Sequence, residues 1–360
     1  MKALLISSAC CIHTRKWCNG LAEKGLEIHL VSQQVPMDGY HEKVIFHKLP
    51  YKGLKGYLLN RNALLKTIKE VSPDVVNVHY ASGYGTLASV AGLKNFIMSV
   101  WGSDVYDFPF KSRAHYKLVK HNLNRASVIC STSEVMGDFV KSKFPLKSNI
   151  TVKITPFGVD VNKFKKDQKE NKECSFTIGT VKTLRPKYGI ENLIRAFGSL
   201  VSKGYTNIQL KIAGKGYLRP DLEELTNQLG LADKVKFLGW VENNEVPHLL
   251  NSFDIYVAPS SLDSESFGVA IVEASACELP VIVTRVGGLP EVVNDGYTGF
   301  VVEPDSVESL SKAIEVLMSD DKKRIQMGKA GRENVINKYE WDYCVERMIE
   351  IYHNHQCKQV

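Results

Sequence analysis

Two glutamates interrupt a stretch that otherwise reads as apolar core. In Asp263–Glu291 (DSESFGVAIVEASACELPVIVTRVGGLPE) the run from Phe267 to Cys277 leaves few polar faces and is expected to be a buried helix. Pro280 marks its exit, Pro280–Thr284 is a short buried strand, and Gly287-Gly288 is a turn. Glu265 stands just before the helix and Glu273 inside it, separated by seven residues. A charge in such a setting is costly unless something pairs with it. The free N–H groups at the helix start, around Phe267, Gly268 and Val269, make an anion site. An anion with a carboxylate on each side suits a phosphorylated, hydroxyl-rich ligand such as a nucleotide sugar. Equally, Glu273 could be salt-bridged to a distant lysine and Glu265 an ordinary first-turn acid. These two residues alone leave both readings open.

Other strand ends in the second half carry cations or glycines. Lys182 and Lys187 lie in KTLRPKYG, between an expected strand and a helix start, which suits neutralisation of a diphosphate. A solvated basic loop is the plainer alternative. Gly214-Lys215-Gly216 is a tight turn that lets backbone come close to a ligand. Gly239-Trp240-Val241 could hold a flat base against exposed backbone, and Gly287-Gly288 is a further close-approach turn.

These residues need a scaffold, and the chain supplies an alternating one. The first half gives strands at 3–7, 27–32, 44–48, 75–79, 96–100, 127–131 and 151–155, with helices at 17–24, 57–71, 85–92, 114–124 and 134–144. The charged stretch 162–173 has almost nothing to bury and reads as a linker. Strands then resume at 175–181, 209–213, 235–238, 255–259, 280–284 and 299–302. Helices are expected at 190–203, 218–229, 246–251, 307–318, 322–337 and 341–353. Single helices between strands argue for parallel, doubly wound α/β sheets, two of them, with both switch points directed at one cleft.

Size and composition set limits. A chain of 360 residues is too long for one ordinary core, so two domains are expected. No apolar run reaches membrane-spanning length, and MKALLISSACC reads as a first strand rather than a signal peptide. The eight cysteines show neither C-x-x-C nor zinc spacing, which points to buried thiols in a reducing cytosol and to no metal site. Residues 1–160 carry a net charge of +10 and residues 161–360 a net of −3. An anionic partner should therefore meet the first half. No nucleic-acid motif is visible. Basic residues mixed with aromatics and leucines, in Tyr51–Arg61 and Phe108–Lys120, favour peripheral contact with an anionic membrane, although a solvated face is the bland alternative.

The paired glutamates, with GTVKTLRPKYGIENLIRAF, AGKGYLRPDLEELTNQLGLADKVKFLGWV and FDIYVAPSSLDSESFGVAIVEASACELPVIVTRVGGLPEVV, resemble glycosyltransferase family 4, the retaining group with the GT-B fold. ITPFGVDVNKF resembles its hinge and KYEWD its entry to the C-terminal helix. The resemblance covers nearly the whole chain and is most specific in the second half. It implies an acceptor-binding domain at 1–161, a linker at 162–174, a donor domain at 175–340, and a helix at 341–360 packing back on the first domain.

The resemblance also implies roles. Glu273 would hold ribose hydroxyls, and Glu265 those of the transferred sugar, with backbone N–H groups from Ser266 to Val269. Lys182 and Lys187 would neutralise the leaving diphosphate, and Gly214, Gly216 and Val241 would border phosphates and base. Glu265 is not read as a nucleophile. No cofactor or metal is implied, and the donor, expected to be a UDP-sugar, is a substrate. Here the sequence departs from its relatives by Tyr188 in Lys187-Tyr188-Gly189, by Lys182 in place of an arginine, and by Trp101 where a histidine is common. His13, Arg15, His79, Trp101 and Asp104 lie at strand ends of the first half and are the acceptor-side candidates, with Asp104 orienting an acceptor hydroxyl. The implied activity is hexosyl or N-acetylhexosaminyl transfer to a saccharide, expected to be lipid-linked, in envelope, O-antigen or capsule synthesis, on the cytoplasmic side. A non-catalytic nucleotide-sugar or glycan-binding protein is the alternative. A dinucleotide-dependent oxidoreductase is disfavoured, because no G-x-G-x-x-G follows the first strand.

Overall fold

The structure, a computed structural model, describes residues 1–167 and 175–355. The expected linker lies outside the described residues from 168 onward, as do Cys174, Cys357 and the tail 356–360. The chain forms two units, Met1–Phe157 with Asp342–Val360, and Gly158–Trp341. Residues 158–161, read above with the first domain, thus belong to the second.

In the first unit the order is β1 (Lys2–Ile6), α1 (Ile12–Glu23), β2 (Glu27–Ser32), β3 (Val44–Lys48), α2 (Gly53–Leu59), α3 (Arg61–Val71), β4 (Val75–His79) and α4 (Gly83–Val90). Then follow β5 (Ile97–Val100), α5 (Ser103–Tyr106), α6 (Arg113–Leu123), β6 (Val128–Ser131), α7 (Glu134–Lys143) and β7 (Thr151–Ile154). The seven strands pair in parallel in the order β3-β2-β1-β4-β5-β6-β7. Helices cover such a sheet on both faces, so its inner strands are apolar throughout rather than alternating. Ala3, Leu4, Leu5 and Ile6 are all fully buried.

The single helix expected over 57–71 is two. Asn60, fully buried, turns its side chain onto the backbone of Tyr51, accepting from the N–H at 3.0 Å and donating to the carbonyl at 2.8 Å. That local pairing replaces helix continuation, as asparagine side chains commonly do. The helix expected from Trp17 starts five residues earlier, at Ile12, where Thr14 bonds the hydroxyl of Ser7 at 2.7 Å. The turn α5 falls on residues read as loop.

The second unit runs β8 (Phe176–Val181), α8 (Ile190–Ser202), β9 (Ile208–Ala213), α9 (Arg219–Gln228), β10 (Val235–Gly239), α10 (Val246–Asn251), β11 (Ile255–Ala258) and α11 (Val269–Ala276). It continues with β12 (Val281–Thr284), α12 (Leu289–Val292), β13 (Gly299–Val302), α13 (Val307–Ser319) and α14 (Asp321–Tyr339), and α15 (Trp341–Asn354) follows. Its six strands are parallel in the order β10-β9-β8-β11-β12-β13. Both units are therefore doubly wound Rossmann-like sheets. The chain switches direction between β1 and β4 in one and between β8 and β11 in the other.

The helix α15 is built into the first unit. Its Tyr352 is fully buried and meets Asn77 of β4 at 2.8 Å, and Asn77 in turn accepts from Ser99 of β5 at 2.9 Å. At its surface Lys24 pairs with Glu346 at 2.9 Å and Asp342 at 3.5 Å. Among the described residues no helix is long and apolar enough to cross a membrane.

Candidate functional site

In an open parallel sheet, ligands bind beyond the carboxyl ends of the strands at the switch point. In the second unit that point lies between β8 and β11, and the loops that leave these two strands carry Lys182 and Glu265. The Lys182 ammonium meets the Glu265 carboxylate at 2.8 Å, with side-chain exposures of 8% and 12%. A pair this enclosed holds only with good geometry, because both charges give up water. The Lys182 ammonium also stands 5.1 Å from the centroid of the Tyr188 ring, and that of Lys187 stands 4.9 Å from the same ring. The sequence reading set Lys182 against phosphate and Glu265 against sugar as separate groups. The structure joins them.

The glycines explain how the loops reach this position. A Cβ on Gly214 would lie 1.9 Å from the Lys182 carbonyl oxygen, and one on Gly216 would lie 2.0 Å from that of Leu184. The Gly214–Gly216 turn is thus a backbone brace under the lysine loop, fixed by Lys182 N–H to Ala213 at 2.9 Å and Leu184 N–H to Lys215 at 3.0 Å. Gly287 and Gly288 do the same for the glutamate loop. Added Cβ atoms there would lie 2.2 Å from the carbonyl oxygens of Glu265 and Ser266, and Gly288 N–H donates to Glu265 at 3.0 Å. Both turns make a close approach to neighbouring backbone.

The loop ends at α11, which starts two residues later than expected. Ser266 and Phe267 are buried, Phe267 packs edge-on to Tyr339 at 5.4 Å, and Gly268 is the N-cap in left-handed backbone. The N–H groups of Val269 and Ala270 open the helix without an acceptor among the described residues, so they remain available to an anion. Glu273 is half-buried one turn further on. Near both glutamates is Tyr256 of β11, fully buried, its hydroxyl donating to the Val181 carbonyl at 3.3 Å. Burial first, then the nearby Glu265 and Glu273, push its pKa up, so it stays neutral beside them. Nothing in the sequence marked Tyr256, which reads as one more core residue of IYVA. Val241, half-buried, follows β10, and Trp240 beside it is exposed and donates to Glu242 at 2.8 Å.

The first-unit candidates gather at the ends of β1, β4 and β5. His13 stacks on Phe157 at 4.1 Å and lies 5.9 Å from Trp101, which is 4.6 Å from His79. Burial, helped by Lys16, lowers the His13 pKa to about 4, and burial alone lowers that of His79 to about 3. Both rings are neutral at physiological pH. His79 is enclosed and bonded to Ser7 at 3.0 Å, as a core histidine would be. Arg15 points to the Asp38 carbonyl at 2.6 Å. Asp104 is buried, and its carboxylate accepts from the N–H groups of Ala81 at 2.8 Å, Trp101 at 3.1 Å and Gly102 at 3.0 Å. Burial raises its pKa against the pull of these donors. This geometry makes Asp104 the clamp of the Trp101–Gly102 turn, in contrast to the acceptor-facing group expected from sequence.

Among the described residues no cluster of three or more His, Cys, Asp or Glu side chains could hold a metal ion. Among the described residues Cys10, Cys11, Cys18, Cys130, Cys277 and Cys344 form no disulfide, and the last four are buried.

Comparisons with known proteins agree with this architecture. The family described as "Glycosyl transferases group 1" matches residues 161–334, and that described as "Glycosyl transferase 4-like" matches residues 2–133. The chain is 25% identical over 353 residues to the N-acetyl-alpha-D-glucosaminyl L-malate synthase of Bacillus anthracis, covering 93% of this chain and 91% of that one. It is 27% identical over 349 residues to a capsular polysaccharide biosynthesis glycosyltransferase of Staphylococcus aureus, covering 92% and 91%. Among solved structures, HepE of Anabaena in complex with UDP superposes with a TM-score of 0.82 at 19% identity, over 98% of this chain and all of that one.

Proposed function

The chain belongs to the GT-B glycosyltransferases of family 4, and on that premise we propose that it transfers a hexosyl or N-acetylhexosaminyl group from a UDP-sugar to a saccharide acceptor, with retention and without a metal. The Lys182–Glu265 pair at the switch point of the second sheet carries this reading. A diphosphate bound between Lys182, Lys187 and the start of α11 meets two cations and two unpaired N–H groups. It draws Lys182 toward phosphate and frees Glu265 for sugar hydroxyls. Glu273 takes the ribose. As the sugar–phosphate bond stretches, negative charge grows on the leaving diphosphate, where the lysines and the helix terminus already stand. The leaving phosphate oxygen accepts the proton of the acceptor hydroxyl on the same face, and no carboxylate serves as nucleophile.

The UDP held by the Anabaena protein supports the choice of base, and the capsular relative supports an acceptor in envelope or capsule synthesis. A lipid-linked acceptor accords with the first unit. Leu54, Leu58 and Leu59 of α2 are 85%, 56% and 55% exposed, beside Tyr51, Lys52 and Lys55. This face meets an anionic membrane on its cytoplasmic side. The second basic stretch suits that role less well, because Tyr116 stacks on Phe144 at 5.2 Å and Val119 is buried. Incubation with UDP-sugars and a saccharide acceptor tests the activity: an α-linked product with UDP released is expected. Donor binding with neither hydrolysis nor transfer would instead make the protein a nucleotide-sugar binder.

A further inference from the structure

Tyr188 has no part in the reading above, yet it is the residue both lysines share. Its ring lies 5.1 Å from the Lys182 ammonium and 4.9 Å from that of Lys187. Glu265 holds the Lys182 ammonium at 2.8 Å, but the Lys187 ammonium is a like charge in the same loop, repelled by it and carried on a flexible stem. The face of an aromatic ring attracts an ammonium without neutralising it. We propose that Tyr188 is a positioning residue that, alongside the Glu265 ion pair on Lys182, keeps the Lys187 ammonium gathered beside that of Lys182 before the donor arrives, so that a diphosphate meets two cations at one place. This rests on the donor-site reading given above.

Three features make the ring a fixed platform. It packs against the hydrophobic core of the second unit. Its own N–H donates to Arg185 at 3.1 Å, closing the turn of Pro186–Tyr188, and Ser261 N–H holds the Lys187 carbonyl at 2.9 Å. Gly189, at a φ of 61°, then runs so close to Pro259 that a Cβ would lie 1.9 Å from its carbonyl oxygen. The loop is anchored on both sides of the ring, so the ring face is fixed in place for the lysine side chains. Preorganisation of this kind improves affinity by removing the ordering that binding would otherwise require.

The test compares Tyr188→Leu, which keeps apolar volume against the core, with Tyr188→Phe, which keeps the ring face. UDP and UMP are titrated into each, with thermal melting as the folding control. Tyr188→Leu should weaken UDP by about tenfold, UMP by less than about threefold, and Tyr188→Phe should stay within about twofold of wild type for both, as expected when a ring face supports two ammonium groups. An unchanged preference for UDP over UMP in Tyr188→Leu would overturn the proposal. So would a loss in Tyr188→Phe equal to that in Tyr188→Leu, because the ring would then not be the cause. Wild-type protein that binds neither nucleotide would overturn the donor site itself, and this inference with it.

Discussion

Lys182 and Glu265 are each other's partners at the switch point, so removing either leaves a charge in an enclosed place. Glu273 is half-buried on α11. Glu273→Ala is expected to weaken donor binding by about 10- to 100-fold, the range for losing hydrogen bonds from a charged acceptor. Equal donor affinity in calorimetry would remove Glu273 from the site. The paired glutamates were legible from sequence because charges inside an apolar run are conspicuous. Their connection was not, since the partner of Glu265 lies 83 residues away. Tyr256 was invisible for the opposite reason, a core-like residue in a core-like strand.

At the level of elements, the glycine turns position the site by supporting its loops. Gly214→Ala places a Cβ 1.9 Å from the Lys182 carbonyl in left-handed backbone. It should destabilise the protein by more than about 2 kcal/mol and weaken donor binding as well. Gly230 also has positive φ, but a Cβ there meets nothing within 4 Å. Gly230→Ala should cost only the backbone strain, about 1 kcal/mol, with donor affinity unchanged. Matched denaturation curves and titrations of the two variants separate support from strain. The helix α2 makes the other prediction. Leu54→Glu with Leu58→Glu should abolish retention on vesicles of anionic lipid, while turnover of a water-soluble acceptor persists. Undiminished sedimentation with vesicles would rule out α2 as the contact. This exposed helix is separate because Asn60 breaks the longer one, and the choice of asparagine between cap and continuation depends on Tyr51 lying within reach.

For the whole molecule, the alternation of strand and helix made two doubly wound sheets readable in advance, since parallel strands buried on both faces leave near-continuous apolar runs. The side-chain environment at the end of the first sheet was not readable, and it governs a pH response. His79 is held neutral, its pKa lowered to about 3 by burial. The unfolded chain takes up a proton near pH 6.5 that the folded chain refuses, so stability falls as pH drops from about 6.5 toward about 3, by at most roughly 1.4 kcal/mol per pH unit from this residue. Melting curves from pH 7 to pH 4 should slope less steeply in His79→Gln, which can still reach Ser7, than in wild type. Parallel slopes would contradict a neutral buried His79.

On the proposed function, the second unit binds a nucleoside diphosphate sugar at the end of β8 and β11. Thermal melting of the full chain against a panel of UDP-, GDP-, ADP-, CDP- and TDP-sugars tests it most directly, because a ligand that binds only the folded state raises the melting temperature as its concentration grows. A concentration-dependent rise is expected with at least one UDP-sugar, and a much smaller rise in Glu273→Ala. No rise with any nucleotide sugar, or an equal rise in Glu273→Ala, would contradict it.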